Sequence, residues 1–383
     1  MRFLFVTNWC PHYRVKTYEL LGRRADVRFV FFSAGNEWYW GQRHGRQAGD
    51  FPHEYLRGFH LTPWVRVTPK LVPILWRFEG DVILKCITGR FALPVSLLIA
   101  KLRRKPFVLW TGIWQHPNTL FHRLTFPVTR LVYRLSDAIV VYGEHVKRYL
   151  ASVGVEPGKI FVAPHAVDNA LYRRPVSDHE KATLRARFGV GGRRVVLYVG
   201  RLEQSKGLEY LVDAFAAVGV KDSLLVLVGE GRMRGVLAER AARLGIADRV
   251  VFAGYVPPED AVAFYAIAWT CVLPSVSGRE GREPWGLVVN EAMNQGVPVI
   301  ATTAVGAAAG GLVRHGVSGE VVPEADVGAL SRALDRVLGD PAYRHRLSAG
   351  AAVAIADWDN QRMTDGFLAA CRYALERRSV STS

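Results

Sequence analysis

The stretch VVLYVGRLEQSKGLEYLVDAFAAV (residues 195–218) decides how this chain folds. Residues 195–200 form an unbroken, β-branched apolar run, as a strand buried on both faces requires. The run ends at Gly200, a loop carrying Arg201 and Lys206 follows, and a helical pattern begins near 207 and continues to about 218. Strand, loop and helix in that order are the repeating unit of a parallel sheet.

The unit recurs in both directions. Downstream come SLLVLVG (223–229), a helix near 232–244, VVFAG (250–254), a helix near 258–268, TCVLPS (270–275), a helix over 287–295 and VPVIAT (297–302). Upstream, RFLFVT (2–7), VRFVFF (27–32), DVILKC (81–86), PFVLWT (106–111), DAIVVYG (137–143) and KIFVAP (159–164) read as strands. Helical segments at 13–24, 90–104 and 120–136 separate several of them. The stretch 167–194 is rich in Pro, Gly and charge and marks a junction. The pattern predicts an α/β protein of two Rossmann-like, doubly wound domains facing across a cleft. They span 1–170 and 195–356, with a linker at 171–194 and a terminal segment at 357–383. Residues 36–78, crowded with Trp, Tyr, His, Arg and Pro, predict irregular loops with short elements.

A chain of 383 residues, half of them apolar, is too long for one ordinary core. The apolar run at the N-terminus is too short for a signal peptide and reads as a first strand. No uncharged apolar run reaches about 18 residues, so no spanning helix is expected. Cys10, Cys86, Cys271 and Cys371 are scattered, which fits neither a zinc site nor a disulfide framework and points to the cytoplasm. Residues 1–175 carry 26 Lys and Arg against 11 Asp and Glu, a balance of +15; the remaining 24 against 23 give +1. A basic N-terminal half suits an anionic partner such as a membrane surface, or is a solvated Arg-rich surface.

The stretch GREPWGLVVNEAMNQGVPVI (281–300) places Glu283 and Glu291 eight positions apart across a Pro-Trp-Gly turn. Gly296 and Pro298 stop the helix that carries Glu291. Gly286 admits a close backbone approach, and the amides near it and Leu287 face a phosphate. Glu291 suits a vicinal diol such as a ribose, and Glu283 reaches the next group along. Arg201 and Lys206, at the end of another strand, suit a diphosphate, and VGEGRM (228–233) adds a third turn through Gly229 and Gly231. These residues together match a sugar, a diphosphate and a ribose in line.

With GRLEQSKG, GEGR, LPS and EPWGLVVNEAM, and with SDAIVVYGEHVKRYL and PHAVD in the first half, the chain resembles the retaining glycosyltransferases of family 4 over nearly its whole length. The resemblance implies the two-Rossmann GT-B fold, a C-terminal helix crossing back to the first domain, and metal-independent transfer from a nucleotide-diphosphate sugar with retention. It implies that Arg201 and Lys206, with Gly200 beside them, stabilise the leaving diphosphate, that Glu291 holds the ribose, and that Glu283 contacts the transferred sugar. Tyr255 and Val256 are expected to meet the base through their backbone. Tyr13, Arg14 and Trp114 are expected on the acceptor side. His116, in LWTGIWQHP, either touches the sugar or acceptor, or caps a turn before Pro117; His12 and His165 are weaker candidates.

Two departures stand out. The loop after the first strand, NWCPHYRVKTYEL, lacks the family's Gly-Gly, and VGAAAGGLV (305–313) lacks the Glu of the family's Gly-Gly-x-x-Glu. Asp357-Trp358-Asp359 mimics a metal-binding Asp-x-Asp but precedes a terminal helix, where Asp359 reads as an N-cap; no metal or cofactor is expected. FALPVSLLIAKLRRKP (91–106) reads as a buried helix whose basic end, Lys101 to Lys105, offers a membrane contact. The expected function is sugar transfer to a glycan or glycolipid acceptor, cytoplasmic and peripheral on the inner membrane face. The alternative is a non-catalytic nucleotide-binding or sugar-nucleotide-processing protein of the same fold. A dehydrogenase lacks its Gly-x-Gly-x-x-Gly, and nucleic acid lacks aromatic-basic repeats.

Overall fold

Apolar strands joined by amphipathic helices close into parallel sheets, because each crossover must bury its helix on the sheet it has just left. The computed structural model describes residues 1–33, 49–116, 119–279 and 281–381. In chain order the first elements are β1 (Arg2–Thr7), α1 (His12–Arg24), β2 (Asp26–Phe31), β3 (His53–Tyr55), β4 (Phe59–Thr62), β5 (Val65–Val67) and α2 (Leu71–Arg77). Next come β6 (Val82–Cys86), α3 (Ala92–Leu102), β7 (Phe107–Thr111), α4 (Leu120–Leu135), β8 (Ala138–Val141), α5 (Glu144–Ser152) and β9 (Ile160–Val162). Then follow α6 (Asn169–Tyr172), α7 (Asp178–Arg187), β10 (Arg194–Val199), α8 (Leu208–Ala216), β11 (Ser223–Val228), α9 (Arg234–Arg243), β12 (Val250–Gly254) and α10 (Pro258–Ile267). The chain finishes with β13 (Ala268–Leu273), α11 (Val288–Asn294), β14 (Val299–Thr302), α12 (Gly306–Ala309), β15 (Gly319–Val322), α13 (Val327–Gly339), α14 (Pro341–Ile355) and α15 (Asn360–Ser381).

The chain divides into two units. The first comprises residues 1–114, 119–167 and 360–383; the second comprises 115–118 and 168–359. The first holds a parallel sheet of order β3-β2-β1-β6-β7-β8-β9, and β4 and β5 form a separate antiparallel hairpin. Those short strands and α2 occupy the described part of 36–78, the rest of which lies outside the described residues. α15 belongs to this unit, where it packs on α1, β8 and β9. Its buried Met363, Phe367, Cys371 and Ala374 recur every three or four residues, one face of a helix. Phe367 lies 5.5 Å from Phe5 and 5.3 Å from Trp110, joining the core. Gly366 permits the close approach, since a Cβ there would stand 2.5 Å from the Val162 carbonyl oxygen.

The second unit holds a parallel sheet of order β12-β11-β10-β13-β14-β15. β11 and β14 are buried throughout, in keeping with the uninterrupted apolar runs. The junction stretch is partly helical: Ser177 and Glu180 form a reciprocal capping box that starts α7 despite weak apolar periodicity.

Candidate functional site

In the second unit β10 pairs with β13, although β11 and β12 intervene in the chain. At this reversal the loops leaving the two strands turn to opposite faces and open a crevice at the carboxyl ends. Arg201 and Lys206 leave β10; Glu283, Gly286 and Leu287 leave β13 and lead into α11, whose first turn carries Glu291. Tyr255 and Val256 follow β12 on the same edge.

Glycines set the loop after β10. Gly207 adopts φ 63°, and a Cβ on it would lie 2.1 Å from the Pro274 carbonyl oxygen, so the loops of β10 and β13 touch backbone to backbone. Gly229 has φ 134° and a Cβ there would fall 1.9 Å from the Gly200 carbonyl oxygen; at Gly231 it would fall 2.3 Å from that of Leu202. Leu202 N donates to the Glu230 carbonyl at 2.9 Å, and Met233 N donates to that of Leu202 at 2.9 Å. The turn after β11 is thus the support on which the Arg201 loop rests. The Tyr198 hydroxyl donates to the Arg201 carbonyl at 2.8 Å, and the Arg201 side chain is exposed.

Lys206 and Glu283 form an ion pair in which both side chains are largely buried, 17 % and 16 % exposed. Ser275 Oγ donates to the same carboxylate at 3.4 Å. Gly306 N donates to the Glu283 carbonyl at 3.0 Å, and Ala307 N to that of Trp285 at 2.8 Å. The VGAAAGGLV segment therefore holds the 283–286 turn from below through its backbone. Trp285 is buried, stacks on Trp358 at 4.7 Å, and donates from Nε1 to Asn290 Oδ1 at 2.7 Å. Gly286, at φ 90°, closes the turn. α11 begins at Val288 and ends at Asn294, one residue inside each predicted end, because Leu287 and Gln295 act as its caps.

Glu291 is buried, and the Tyr265 hydroxyl donates to its Oε2 at 2.6 Å. Burial pushes this carboxyl above its ordinary range, and hydrogen bonds from Tyr265 and Tyr172 act in the opposite direction. Burial, and then Glu291 itself, push both phenols up. Tyr265 and Tyr172 escaped the sequence reading, and Ser275 and Trp358 entered it only within LPS and Asp357-Trp358-Asp359. Tyr265 sits in a helix as an ordinary apolar position, and Tyr172 and Trp358 lie more than 60 residues from Glu291 in the chain.

The first unit has its own reversal, between β1 and β6, with a cavity of about 140 Å³ at the strand ends lined by Asn8, Tyr13, Arg14, Thr88, Thr111 and Tyr142. Arg14 is 4 % exposed, and its guanidinium lies 4.5 Å over the Trp110 ring and approaches the Tyr142 hydroxyl at 3.4 Å and His165 Nε2 at 3.3 Å. His165 stacks on Tyr142 at 4.2 Å, and burial, then Arg14, hold its imidazole well below the usual value. In place of a glycine loop, buried Trp9 and Cys10 fill the space after β1. Lys85, fully buried, donates to the carbonyls of Cys86 and Thr88, each at 2.7 Å. Burial lowers the Lys85 pKa. Burial raises the Cys86 thiol, but Lys85 and hydrogen bonds to Thr7 and Thr88 outweigh it and leave the thiol below its ordinary value. Trp114 packs edge-on against His145 at 5.1 Å. His116 is partly buried, and Pro117 and Asn118, which follow it, lie outside the described residues. Asp359 immediately precedes α15. A further hollow, of about 800 Å³, lies at the amino ends of β1 and β2, where Arg2 with Asp26 and Arg28 with Glu54 neutralise one another.

Two Rossmann-like units, the second with cations and carboxylates gathered at its sheet reversal, define a GT-B-type α/β protein. The family model "Glycosyl transferases group 1" matches residues 180–353, and "Glycosyltransferase Family 4" matches 18–171. A GDP-mannose-dependent alpha-(1-6)-phosphatidylinositol monomannoside mannosyltransferase of Mycolicibacterium smegmatis is 32 % identical over 330 residues, 84 % of this chain and 83 % of that one. A D-inositol 3-phosphate glycosyltransferase of Acidothermus cellulolyticus is 38 % identical over 60 % of this chain and 51 % of its own length. The chain spans between 51 and 63 % of the length of three such curated relatives. Among solved structures, HepE of Anabaena in complex with UDP superposes with a TM-score of 0.77 at 22 % identity, covering 96 % of this chain and 98 % of that one. The chain belongs to the group 1 glycosyltransferases of family 4.

Proposed function

We propose that the protein transfers a sugar from a nucleotide-diphosphate sugar to a hydroxyl of a lipid-linked or envelope glycan, with retention of configuration, without a metal ion, and at the cytoplasmic face of a membrane. The observation that carries this reading is the Lys206–Glu283 ion pair at the β10/β13 reversal, with Arg201 on the same loop as Lys206 and Glu291 on the helix that follows Glu283. This order suits the donor. Glu291, oriented by Tyr265, accepts from the ribose hydroxyls, and Arg201 and Lys206 take the diphosphate. An arriving diphosphate draws Lys206 away from Glu283, and the released carboxylate accepts hydroxyls of the transferred sugar. In the transfer the bond from C1 to the phosphate oxygen breaks and a bond from the acceptor oxygen to the same face of C1 forms. The acceptor proton passes to the departing phosphate. Charge grows on that phosphate, so cations already in place lower the barrier most.

The relatives support the donor class: one is named for GDP-mannose, and the Anabaena protein was solved with UDP and with UDP-glucose. The acceptor reading draws on the basic first half and on Tyr13, Arg14, Trp114 and His116. Thermal protection by UDP or GDP, but not by NAD or DNA, tests the nucleotide site. A panel of nucleotide sugars with EDTA present, followed by NMR of the product anomer, tests donor, metal independence and retention together. Protection by NAD alone, or an inverted anomer, overturns the reading.

A further inference from the structure

α4 faces the wrong way for an ordinary crossover helix. Its buried side chains are only Val132 and Tyr133, whereas Leu120, Phe121, Leu124, Val128, Leu131 and Leu135 are exposed, from 41 % at Leu135 to 73 % at Leu120. At 3.6 residues per turn these six fall in a single sector about 100° wide, along a helix about 24 Å long. Arg123, Arg130 and Arg134 are exposed along one flank of that sector, and α4 contains no carboxylate. Arg90 lies 4.3 Å over the Phe121 ring at the other flank. Strands β6, β7 and β8 run side by side, so right-handed crossovers place α3 and α4 on the same face of the sheet. On α3, Leu98 and Leu102, one turn apart, are also exposed, at 59 and 62 %.

An apolar stripe bordered by arginines and turned away from the core is built for an interface that is apolar inside and anionic at its rim. We propose that α4 lies in the surface of an anionic lipid bilayer, with its leucines among the acyl chains and its arginines at the headgroups. A second copy of the chain would set this cationic face against itself, a repulsive arrangement. Among the described residues no helix is long and apolar enough to cross a membrane, so α4 lies on it. At the basic end of α3 three of the four cations are engaged: Lys101 pairs with Asp137 at 2.8 Å, Arg103 donates to the Phe78 carbonyl at 3.2 Å, and Lys105 donates to that of Gly80 at 2.5 Å, while Arg104 is exposed. β7, which leads into α4, ends at Thr111 on the rim of the 140 Å³ cavity. Docking by α4 therefore brings that cavity to the lipid surface. The inference rests on the lipid-linked acceptor reading above and gives it a surface.

The test is flotation with vesicles of phosphatidylcholine alone and of an equal mixture with phosphatidylglycerol. The full-length protein should float with the mixture and lose binding as salt rises. Leu124→Glu/Leu131→Glu, both at exposed positions, should bind about a hundredfold more weakly with an unchanged melting temperature. Arg123→Gln/Arg130→Gln/Arg134→Gln should bind weakly and lose the salt dependence. Unchanged binding by the leucine variant overturns the proposal, as does indifference of the wild type to anionic vesicles at low salt. A dimer that the leucine substitutions dissolve also overturns it. UDP and GDP protection measured on the same samples separates the two claims: nucleotide binding without vesicle binding sinks only the docking surface. Vesicle binding without nucleotide binding sinks the transferase reading.

Discussion

Replacing Lys206 with Met should damage stability and donor binding by amounts that follow from its contacts. The Lys206 and Glu283 side chains are 17 and 16 % exposed, too buried for full solvent screening. A contacting unit pair attracts by about 4 kcal/mol at an effective dielectric near 20. Desolvation of two ions offsets about half of that, leaving a net coupling of about 2 kcal/mol. Lys206→Met strands the carboxylate beside Ser275 and should lower the unfolding free energy by about 2–3 kcal/mol. Lys206→Met/Glu283→Gln should recover most of that loss, since the double variant leaves neither charge behind. Urea unfolding of the four proteins completes the double-mutant cycle. In the same set, UDP and GDP should bind Lys206→Met about a hundredfold more weakly, while the nucleosides bind both proteins equally. Transfer should fall about a thousandfold, the scale expected for a lost contact to a departing oxyanion. A coupling below about 0.5 kcal/mol would show that the pair is not a unit. Full transfer by a folded Lys206→Met protein would refute the diphosphate assignment.

Glu291 carries a pH signature. Its pKa is raised by burial, so its contribution to stability is complete below the ordinary carboxylate range and is lost as pH rises through the raised value. Nucleotide affinity should move oppositely, rising through the same pH as the carboxylate becomes an acceptor for both ribose hydroxyls; Glu291→Gln should flatten both profiles in calorimetry and unfolding. Gly229→Ala should cost at least about 3 kcal/mol and disturb nucleotide binding, because left-handed strain adds to the clash with the Gly200 carbonyl. Gly245→Ala, at φ 66° with open space around it, should cost only about 1 kcal/mol; equal losses in denaturant melts would defeat the reasoning. Buried Lys159 donates to the carbonyls of Tyr133, Arg134 and Ser136 at 3.0, 3.0 and 2.8 Å, closing the end of α4. Lys159→Met should cost about 2–3 kcal/mol and speed amide exchange in the last turn of α4, and wild-type exchange there would contradict that role.

The alternation of apolar strands with helices sufficed for two parallel α/β units, because a strand buried on both faces admits almost no polar residue and its crossover helix must bury one stripe. The same local logic marked the loops after β10 and β13, since glycine, arginine and glutamate at a strand end have few uses inside a core. Composition also disclosed the charge asymmetry. The partners of those residues were not legible. Strand order decides that the loops after β10 and β13 are neighbours and that Lys206 meets Glu283, 77 positions away. Tyr265 and Tyr172 reach Glu291 only because helices far apart in the chain converge beside α11. Gly229 and Gly231, read as ligand contacts, also carry their neighbours' backbone, a role hidden in the sequence because a Cβ matters only where another strand's loop lies against it. α4 shows the limit best: periodicity revealed a helix with an apolar stripe but gave no sign of which way it points. An apolar stripe has the same pattern whether it faces a core or solvent, and only the packing of Val132 and Tyr133 against the sheet decides between the two.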